Sequence, residues 1–131
     1  MRCETQRFEH SETQSGDCWR TALACLLDLP RDEVPHVIDH EDWWERSRAF
    51  VAEHTDMQLL NVEPVFPIYL DPENAPQHVI GVGKSPRGDF NHCVVVDAIS
   101  GELAWDPHPS RAGLNGPILE VSLIGVLGEA E

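Results

Sequence analysis

The feature that most constrains the fold is a change of pattern along the chain, from an apolar helical segment near the start to β-branched segments in the last third. The segment CWRTALACLLDLP, residues 18–30, has few polar positions, so a helix there would be covered on most sides. Asp17 suits the N-cap and Pro30 bounds the other end. The pattern predicts a buried helix over residues 18–29.

The rest of the chain indicates an α+β order. Residues 41–56 repeat apolar side chains at the spacing of one helical face, which predicts a second, surface helix. Prolines at 64, 67, 72 and 76 exclude a long helix, and we expect a strand near 57–63 and a loop after 70. The β-branched runs of the last third predict three or four antiparallel strands joined by short turns, the tightest at Ser100 and Gly101. One sheet packed on one helix fits this order.

Length and charge limit the class of protein. The 131 residues suit a single domain, 1–131, and 41% hydrophobic residues suffice for a packed core. Nine basic against 23 acidic residues give a net charge of −14, so neither nucleic acid nor a membrane surface is an expected partner. No apolar run approaches the roughly 20 residues of a membrane span, and no signal segment is visible. We expect a cytoplasmic protein.

Cys18 is the candidate nucleophile. It stands at the predicted first turn of the buried helix, where the free amides and the helix dipole favour a thiolate. Because a single cysteine after a Gly-Asp turn is a short motif, a structural cysteine fits the position as well.

His92 and Asp106 are the candidate base and the group that orients it. His92 opens HCVVVDAI, and Asp106 closes the next predicted strand fourteen residues later. A two-residue turn at 100–101 puts both at the same end of the sheet, where the carboxylate can orient the imidazole. Taken singly, each fits a structural role better, as a solvated histidine and as an aspartate that caps the turn before Pro107.

Neither a metal nor a cofactor is expected. The close sets of ligands are His36 with His40 and His92 with Cys93, and adjacent residues on a strand point to opposite faces. The cysteines are expected to be reduced thiols, since Cys25 and Cys93 lie in apolar helix-like and strand-like runs.

The chain places a cysteine on a helix first, then a histidine and an aspartate on neighbouring strands. In this order the sequence resembles papain-like cysteine peptidases, including bacteriocin-processing peptidase domains and small bacterial and phage proteins. The resemblance rests on GDCWRTALA at 16–24, HCVVV at 92–96 and WDP at 105–107, and it extends from about Gln6 to Asp106. It implies a papain-like fold whose buried N-terminal helix carries Cys18, packed on a small antiparallel sheet that carries His92 and Asp106. It also implies the roles of nucleophile, base and orienting residue for these three.

The resemblance further implies an oxyanion site made by the amide of the nucleophile and an upstream glutamine. Gln14 stands four residues before Cys18, closer than is usual in the family, and Gln6 stands twelve before it. We favour Gln14 over Gln6. An unpaired Asp17 carboxylate would raise the pKa of the neighbouring thiol. The candidate cleft residues are Asp17, Trp19 and His108.

The hypothesis is a cysteine-dependent hydrolase, either a peptidase or amidase or a related acyl transferase, that acts through a Cys18-His92-Asp106 triad and a thioester. Its substrate would be a peptide or an amide-containing small molecule, neutral or cationic. The alternative is a catalytically silent papain-like protein that binds a partner, supported by the absence of a glutamine at the usual spacing. A thiol redox protein is a third, weaker hypothesis, because there is no Cys-x-x-Cys pair. The sequence indicates no oligomeric state.

Overall fold

Two α-helices and a five-stranded antiparallel sheet form an α+β fold in the computed structural model, which describes residues 1–11, 13–68 and 76–125. The α+β class, both helices and the strand near 57–63 are confirmed, and the predicted loop after residue 70 begins outside the described residues. In chain order the elements are α1 (Cys18–Leu27), a 3₁₀ turn (Arg31–Glu33), α2 (Trp43–His54), β1 (Gln58–Val62), β2 (His78–Lys84), β3 (Asn91–Asp97), β4 (Leu103–Trp105) and β5 (Glu120–Gly125).

Asp17 precedes α1, but its side chain does not cap the helix as the sequence predicted. The carboxylate is fully buried and points back to the N-terminal segment, where it accepts hydrogen bonds from the amides of Arg7 (3.1 Å) and Phe8 (2.8 Å). It also accepts from Nε of Arg20 at 2.9 Å. A buried carboxylate needs such partners, and here they tie residues 7 and 8 to the start of the helix.

Helix α1 ends at Leu27, two residues before the predicted end. Asp28 takes the left-handed conformation, with φ of 56°, and its amide donates to the carbonyl of Cys25. A residue of this conformation commonly terminates a helix, and aspartate tolerates it better than most residues do.

The sheet has the strand order β1-β5-β2-β3-β4, so the last strand in sequence lies between β1 and β2. Strands β2 and β3 pair over their full length, from His78 with Asp97 to Lys84 with Asn91. Residues 106–119 form a long connection between β4 and β5, where the sequence had predicted a short turn. The reason is topological, because β5 must cross the sheet to reach its place beside β1.

The turn between β3 and β4 also differs from the prediction, since it spans residues 98–102 rather than two residues. The Asp97 carboxylate accepts hydrogen bonds from the amides of Ile99 and Ser100, and Gly101 has φ of 75°. A β-bulge between Val95 and Val96 shifts the register of the pair. The longer turn and the bulge together still bring the far ends of the two strands to one end of the sheet.

The two faces of the sheet bury different clusters. One face packs on α1, with Leu23 of the helix in the same cluster as Ile80, Cys93 and Val95. On the opposite face, Val94 belongs to a second cluster that Phe66, Leu114 and Ile118 cover. This alternation along β3 follows from the two-residue period of a strand. No helix in the described part of the chain is long and apolar enough to cross a membrane.

Candidate active site

Cys18 is the first residue of α1 and lines a cavity of about 740 Å³. Its side chain is partly exposed, whereas the helix positions that follow it, from Trp19 to Cys25, are buried. The amide of Cys18 has no hydrogen-bond acceptor among the described residues. A thiol at this position faces the partial positive charge of the helix N-terminus and the open cavity at once.

His92 and Asp106 are in direct contact. Nε2 of His92 lies 2.6 Å from Oδ1 of Asp106, and both side chains are buried. His92 is the second residue of β3, and Asp106 directly follows β4, so the antiparallel pairing of these strands places them together. Because Nε2 is engaged by the carboxylate, Nδ1 remains as the free ring nitrogen of His92.

The Asp106 carboxylate is held on both oxygens. Besides His92, Oδ1 accepts from the amide of His108 at 2.9 Å, and Oδ2 accepts from the amide of Gly113 at 2.7 Å. Burial opposes ionisation, but the hydrogen bonds from His92 and the two amides outweigh it and hold the pKa of Asp106 below its ordinary value. The orienting group is therefore a fixed carboxylate.

Cys18 and His92 shift each other's ionisation in opposite directions. A hydrogen bond with Cys93 and, against the cost of burial, the hydrogen bond and charge of His92 lower the pKa of Cys18 well below its ordinary value. Burial lowers the pKa of His92, but the hydrogen bonds to Asp106 and Cys18 raise it to about 9. Both shifts favour a thiolate on Cys18 beside an imidazolium on His92.

Cys93 is a neighbour of Cys18 that the sequence analysis did not place at the site. Adjacent residues on a strand point to opposite faces, yet Cys93 lines the same cavity as His92. Both residues lie near the start of β3. The interaction with the Cys18 thiol, together with burial, raises the pKa of Cys93 well above its ordinary value. The signal was present in the sequence, since Cys93 and Val95 share the face that packs on α1.

The two candidate glutamines occupy different places. Gln6 is buried and lines the cavity, with its own amide bonded to the carbonyl of Pro107 at 2.9 Å and its Nε2 donating to the carbonyl of Phe8 at 2.7 Å. Gln14 is exposed and does not line the cavity. Spacing from Cys18 had favoured Gln14, but the N-terminal segment folds back across the helix start and brings the more distant glutamine to the site.

Of the three candidate cleft residues, Trp19 and His108 line the cavity and Asp17 does not, since its carboxylate is turned away to the N-terminal segment. His108 accepts a hydrogen bond at Nδ1 from the amide of Ser110, and its Nε2 lies 2.6 Å from Oε1 of Glu9. A ring nitrogen that accepts carries no proton, so Nε2 is the donor to Glu9. The rings of His92 and His108 meet edge to face at 6.2 Å.

The wall beside Cys18 is aromatic. Trp19 meets Trp43 edge to face at 5.3 Å, and its Nε1 donates to Oγ of Ser47 at 2.9 Å, which fixes α2 against α1. Trp43 and Trp44 are only half-buried and line the cavity. Polar side chains also line the cavity, among them Asn61, Glu120 and Ser122.

In the described ranges, no group of three or more histidine, cysteine, aspartate or glutamate side chains is arranged to hold a metal ion. All four cysteines are free thiols.

Comparisons of the chain with models of protein families, with curated proteins and with solved structures found no match.

Proposed function

We propose that the protein is a cysteine-dependent hydrolase of papain-like fold, a peptidase or amidase, that acts through Cys18, His92 and Asp106. One observation carries the proposal: a thiol at a helix N-terminus shares a cavity with a histidine whose far nitrogen is bound by a buried carboxylate. Each group has the position that nucleophilic catalysis requires of it.

The ionisation of the pair supports the same chemistry. The lowered pKa of Cys18, caused by Cys93 and His92, favours the thiolate that nucleophilic attack requires. The raised pKa of His92, about 9, supplies the proton that a departing amine needs. A structural cysteine at a helix start has no need of a histidine held in this way.

In the proposed reaction, Sγ of Cys18 attacks the carbonyl carbon of an amide and a tetrahedral intermediate forms. His92 gives its proton to the leaving nitrogen, the carbon–nitrogen bond breaks, and a thioester with Cys18 remains. Water, deprotonated by the now neutral His92, then attacks the thioester and releases the acid and the thiolate. Asp106 keeps the imidazole in one orientation during both proton transfers.

The oxyanion of the intermediate needs donors near Cys18. The Cys18 amide, which has no acceptor among the described residues, supplies one. Gln6 supplies the other in this proposal, because its Nε2 has a second hydrogen besides the one given to Phe8. Its buried Oε1 has no partner in the described part of the chain, a cost that a purely structural glutamine rarely carries.

The cavity favours a neutral or cationic amide with an apolar group. Trp19, Trp43 and Trp44 offer an apolar wall next to the thiol, while Glu9 and Glu120 contribute acidic groups. The net charge of −14 acts in the same direction, since it repels acidic substrates.

The test is the pH dependence of alkylation by iodoacetamide at each cysteine, read by peptide mass spectrometry. Trypsin cleaves after Arg2, Arg7, Arg20, Arg31, Arg87 and Arg111, which leaves every cysteine on a separate peptide. We expect Cys18 to react about 10-fold or more faster than the exposed Cys3 at pH 6, because few ordinary thiols are ionised there. His92→Ala should reduce this advantage, although Cys93 still lowers the pKa of Cys18.

His40→Ala is the matched control, since His40 is exposed and does not line the cavity. Turnover is then measured on short peptidyl amides with a fluorogenic leaving group, comparing the parent with Cys18→Ala. If Cys18 alkylates no faster than Cys3, the catalytic proposal fails. A reactive Cys18 without turnover of any amide would favour a papain-like protein that binds a partner.

A further inference from the structure

A second thiol, that of Cys93, lines the same cavity as Cys18, and the proposed hydrolysis does not use it. Cys93 is 8% exposed and belongs to the buried cluster on which Cys18 packs. The two residues come from α1 and β3, which pack on each other, and both line the same cavity. A buried thiol beside a reactive one is a candidate for oxidation chemistry rather than for packing alone.

We propose that Cys18 and Cys93 form a peroxide-responsive thiol pair, in which Cys93 converts oxidised Cys18 into a reversible disulfide. The proposal goes beyond the hydrolase function and does not require it, because it needs only an accessible thiolate with a second thiol in contact. Its substrate class is a small hydroperoxide, with hydrogen peroxide as the simplest member.

The first step is attack by the Cys18 thiolate on one oxygen of hydrogen peroxide. A sulfur–oxygen bond forms, the oxygen–oxygen bond breaks, and the departing hydroxide takes a proton from His92 to become water. In the second step, sulfur of Cys93 attacks the sulfenic sulfur, and a disulfide forms as the sulfur–oxygen bond breaks. The hydroxyl leaves as water with the proton of the Cys93 thiol.

The ionisation of the pair supports this order of events. The interaction with Cys18 is the main cause of the raised pKa of Cys93, with burial second. Oxidation turns the Cys18 thiolate into a neutral sulfenic acid and so removes the charge that opposes ionisation of Cys93. The second thiol thus becomes easier to deprotonate when the first has been oxidised.

The other two cysteines are poorly placed to compete. Cys25 lies seven residues further along α1, two turns from Cys18, and is fully buried. Burial raises the pKa of Cys25 to about 11. Cys3 is exposed and does not line the cavity.

The experiment oxidises the full chain with stoichiometric hydrogen peroxide, blocks the remaining thiols and maps tryptic peptides without reduction. The expected product is peptide 8–20, carrying Cys18, linked to peptide 88–111, carrying Cys93. Dithiothreitol should restore nearly all of the free Cys18. Cys93→Ser is treated instead with excess hydrogen peroxide, because sulfinic and sulfonic acid consume two and three molecules of peroxide per thiol. Cys18 of this variant should then proceed to these acids, which dithiothreitol does not reverse, while Cys25→Ser under the same excess serves as the control that behaves like the parent.

Circular dichroism checks that each variant is folded, and Cys93→Ala repeats the test if the serine disturbs the core. A link from Cys18 to Cys3 or Cys25 would overturn the proposal. Full recovery of Cys18 would also overturn it in a folded Cys93→Ser whose Cys18 still reacts quickly with iodoacetamide, since Cys93 itself helps to lower the pKa of Cys18. If only the hydrolase proposal is wrong, the disulfide between Cys18 and Cys93 still forms, but no amide is turned over. If Cys18 is alkylated quickly but no disulfide with Cys93 forms, the proposal of a thiol pair is wrong and the hydrolase proposal is unaffected.

Discussion

Nε2 of His92 and Oδ1 of Asp106 are 2.6 Å apart, and this contact joins the start of β3 to the end of β4 across fourteen residues of sequence. It leaves Nδ1 of His92 for the thiol of Cys18, since a ring held at one nitrogen can present only the other. The proposed chemistry therefore depends on a carboxylate that never touches the substrate.

Replacing that carboxylate tests its positioning role. In Asp106→Asn the new amide group must face either the Gly113 amide or the donors from His92 and His108, because all of them donate to the carboxylate. We expect a loss of stability of about 1–3 kcal/mol from the unpaired donor. The rate of amide turnover should fall less than in His92→Ala, where about 10²–10⁴-fold is expected.

The matched control is Asp97→Asn, because Asp97 accepts its turn hydrogen bonds on Oδ1 alone and an asparagine oxygen can keep them. Urea unfolding and the pH profile of turnover are measured for both variants. Asp106→Asn and His92→Ala could instead lose the same amount of turnover, with Asp106→Asn strongly destabilised. That result would mean that Asp106 stabilises the fold and does not act by positioning His92.

The pH dependence of turnover follows from the two ionisations. The pKa of His92 is raised to about 9, so its proton is present below that pH and is lost as the pH rises through it. The pKa of Cys18 is lowered by Cys93 and His92, so the thiolate persists on the acid side. We expect turnover to be level through neutral pH and to fall as the pH rises past about 9.

Alkylation of Cys18 should not fall on that alkaline side, because it needs the thiolate but not the imidazolium. Measuring both rates on the same samples separates the two groups. Turnover that instead rises steadily up to pH 9 and beyond, as for an ordinary thiol, would contradict the ion pair.

Gln6 and Gln14 give a direct comparison of two glutamines in one chain. Gln6→Ala should lower kcat by about 10²–10³-fold, the usual effect of removing one oxyanion donor. Gln14→Ala should leave kcat unchanged, since Gln14 is exposed and outside the cavity. Gln6→Glu keeps the shape while removing the donor and should resemble Gln6→Ala. A loss in Gln14→Ala, or none in either Gln6 variant, would exclude Gln6 as the donor.

Asp17 provides a prediction on stability. In Asp17→Asn the amide group replaces an oxygen that accepts from Arg20 or from the N-terminal segment, and in either orientation the buried Arg20 guanidinium loses the negative charge beside it. We expect a loss of about 3 kcal/mol, as for a broken buried ion pair. Turnover should fall as well, because the same contacts hold the segment that carries Gln6.

Asp28→Asn is the control for Asp17→Asn. Asp28 is exposed at the end of α1, where its φ of 56° suits asparagine equally well. We expect a change within about 0.5 kcal/mol in thermal or urea unfolding. A loss of similar size in both variants would mean that the bonds of Asp17 add little to stability.

The sequence predicted those parts of the site that depend on neighbouring residues. The apolar pattern of residues 18–30 placed Cys18 at the start of a helix, and the structure begins α1 there. The β-branched runs placed His92 and Asp106 on adjacent strands, and they meet even though the connecting turn is longer than predicted. The longer turn does not separate the two residues, and a bulge between Val95 and Val96 shifts the register of the strand pair.

Contacts between distant segments were not predictable in the same way. The choice between Gln6 and Gln14 depends on how the first residues cross the helix start, which is fixed by Asp17 and by the bond from the Gln6 amide to Pro107. The proximity of Cys93 to Cys18 depends on how closely α1 packs on β3. The position of the glutamines leaves no periodic signal in the sequence. Strand alternation does place Cys93 on the face of β3 that packs on α1, but it does not give the distance to Cys18.

By itself, then, the sequence determined the helix that carries the thiol, the strands that carry the imidazole and the carboxylate, and the acidic charge of the chain. These follow from periodicity and composition, which act over a few residues at a time. The tertiary structure alone decided which glutamine reaches the cavity, which second thiol faces Cys18 and where β5 enters the sheet. Those outcomes depend on burial and hydrogen bonding between segments up to a hundred residues apart, such as Trp105 Nε1 with the Glu4 carbonyl, and such energies exist only once the chain has packed.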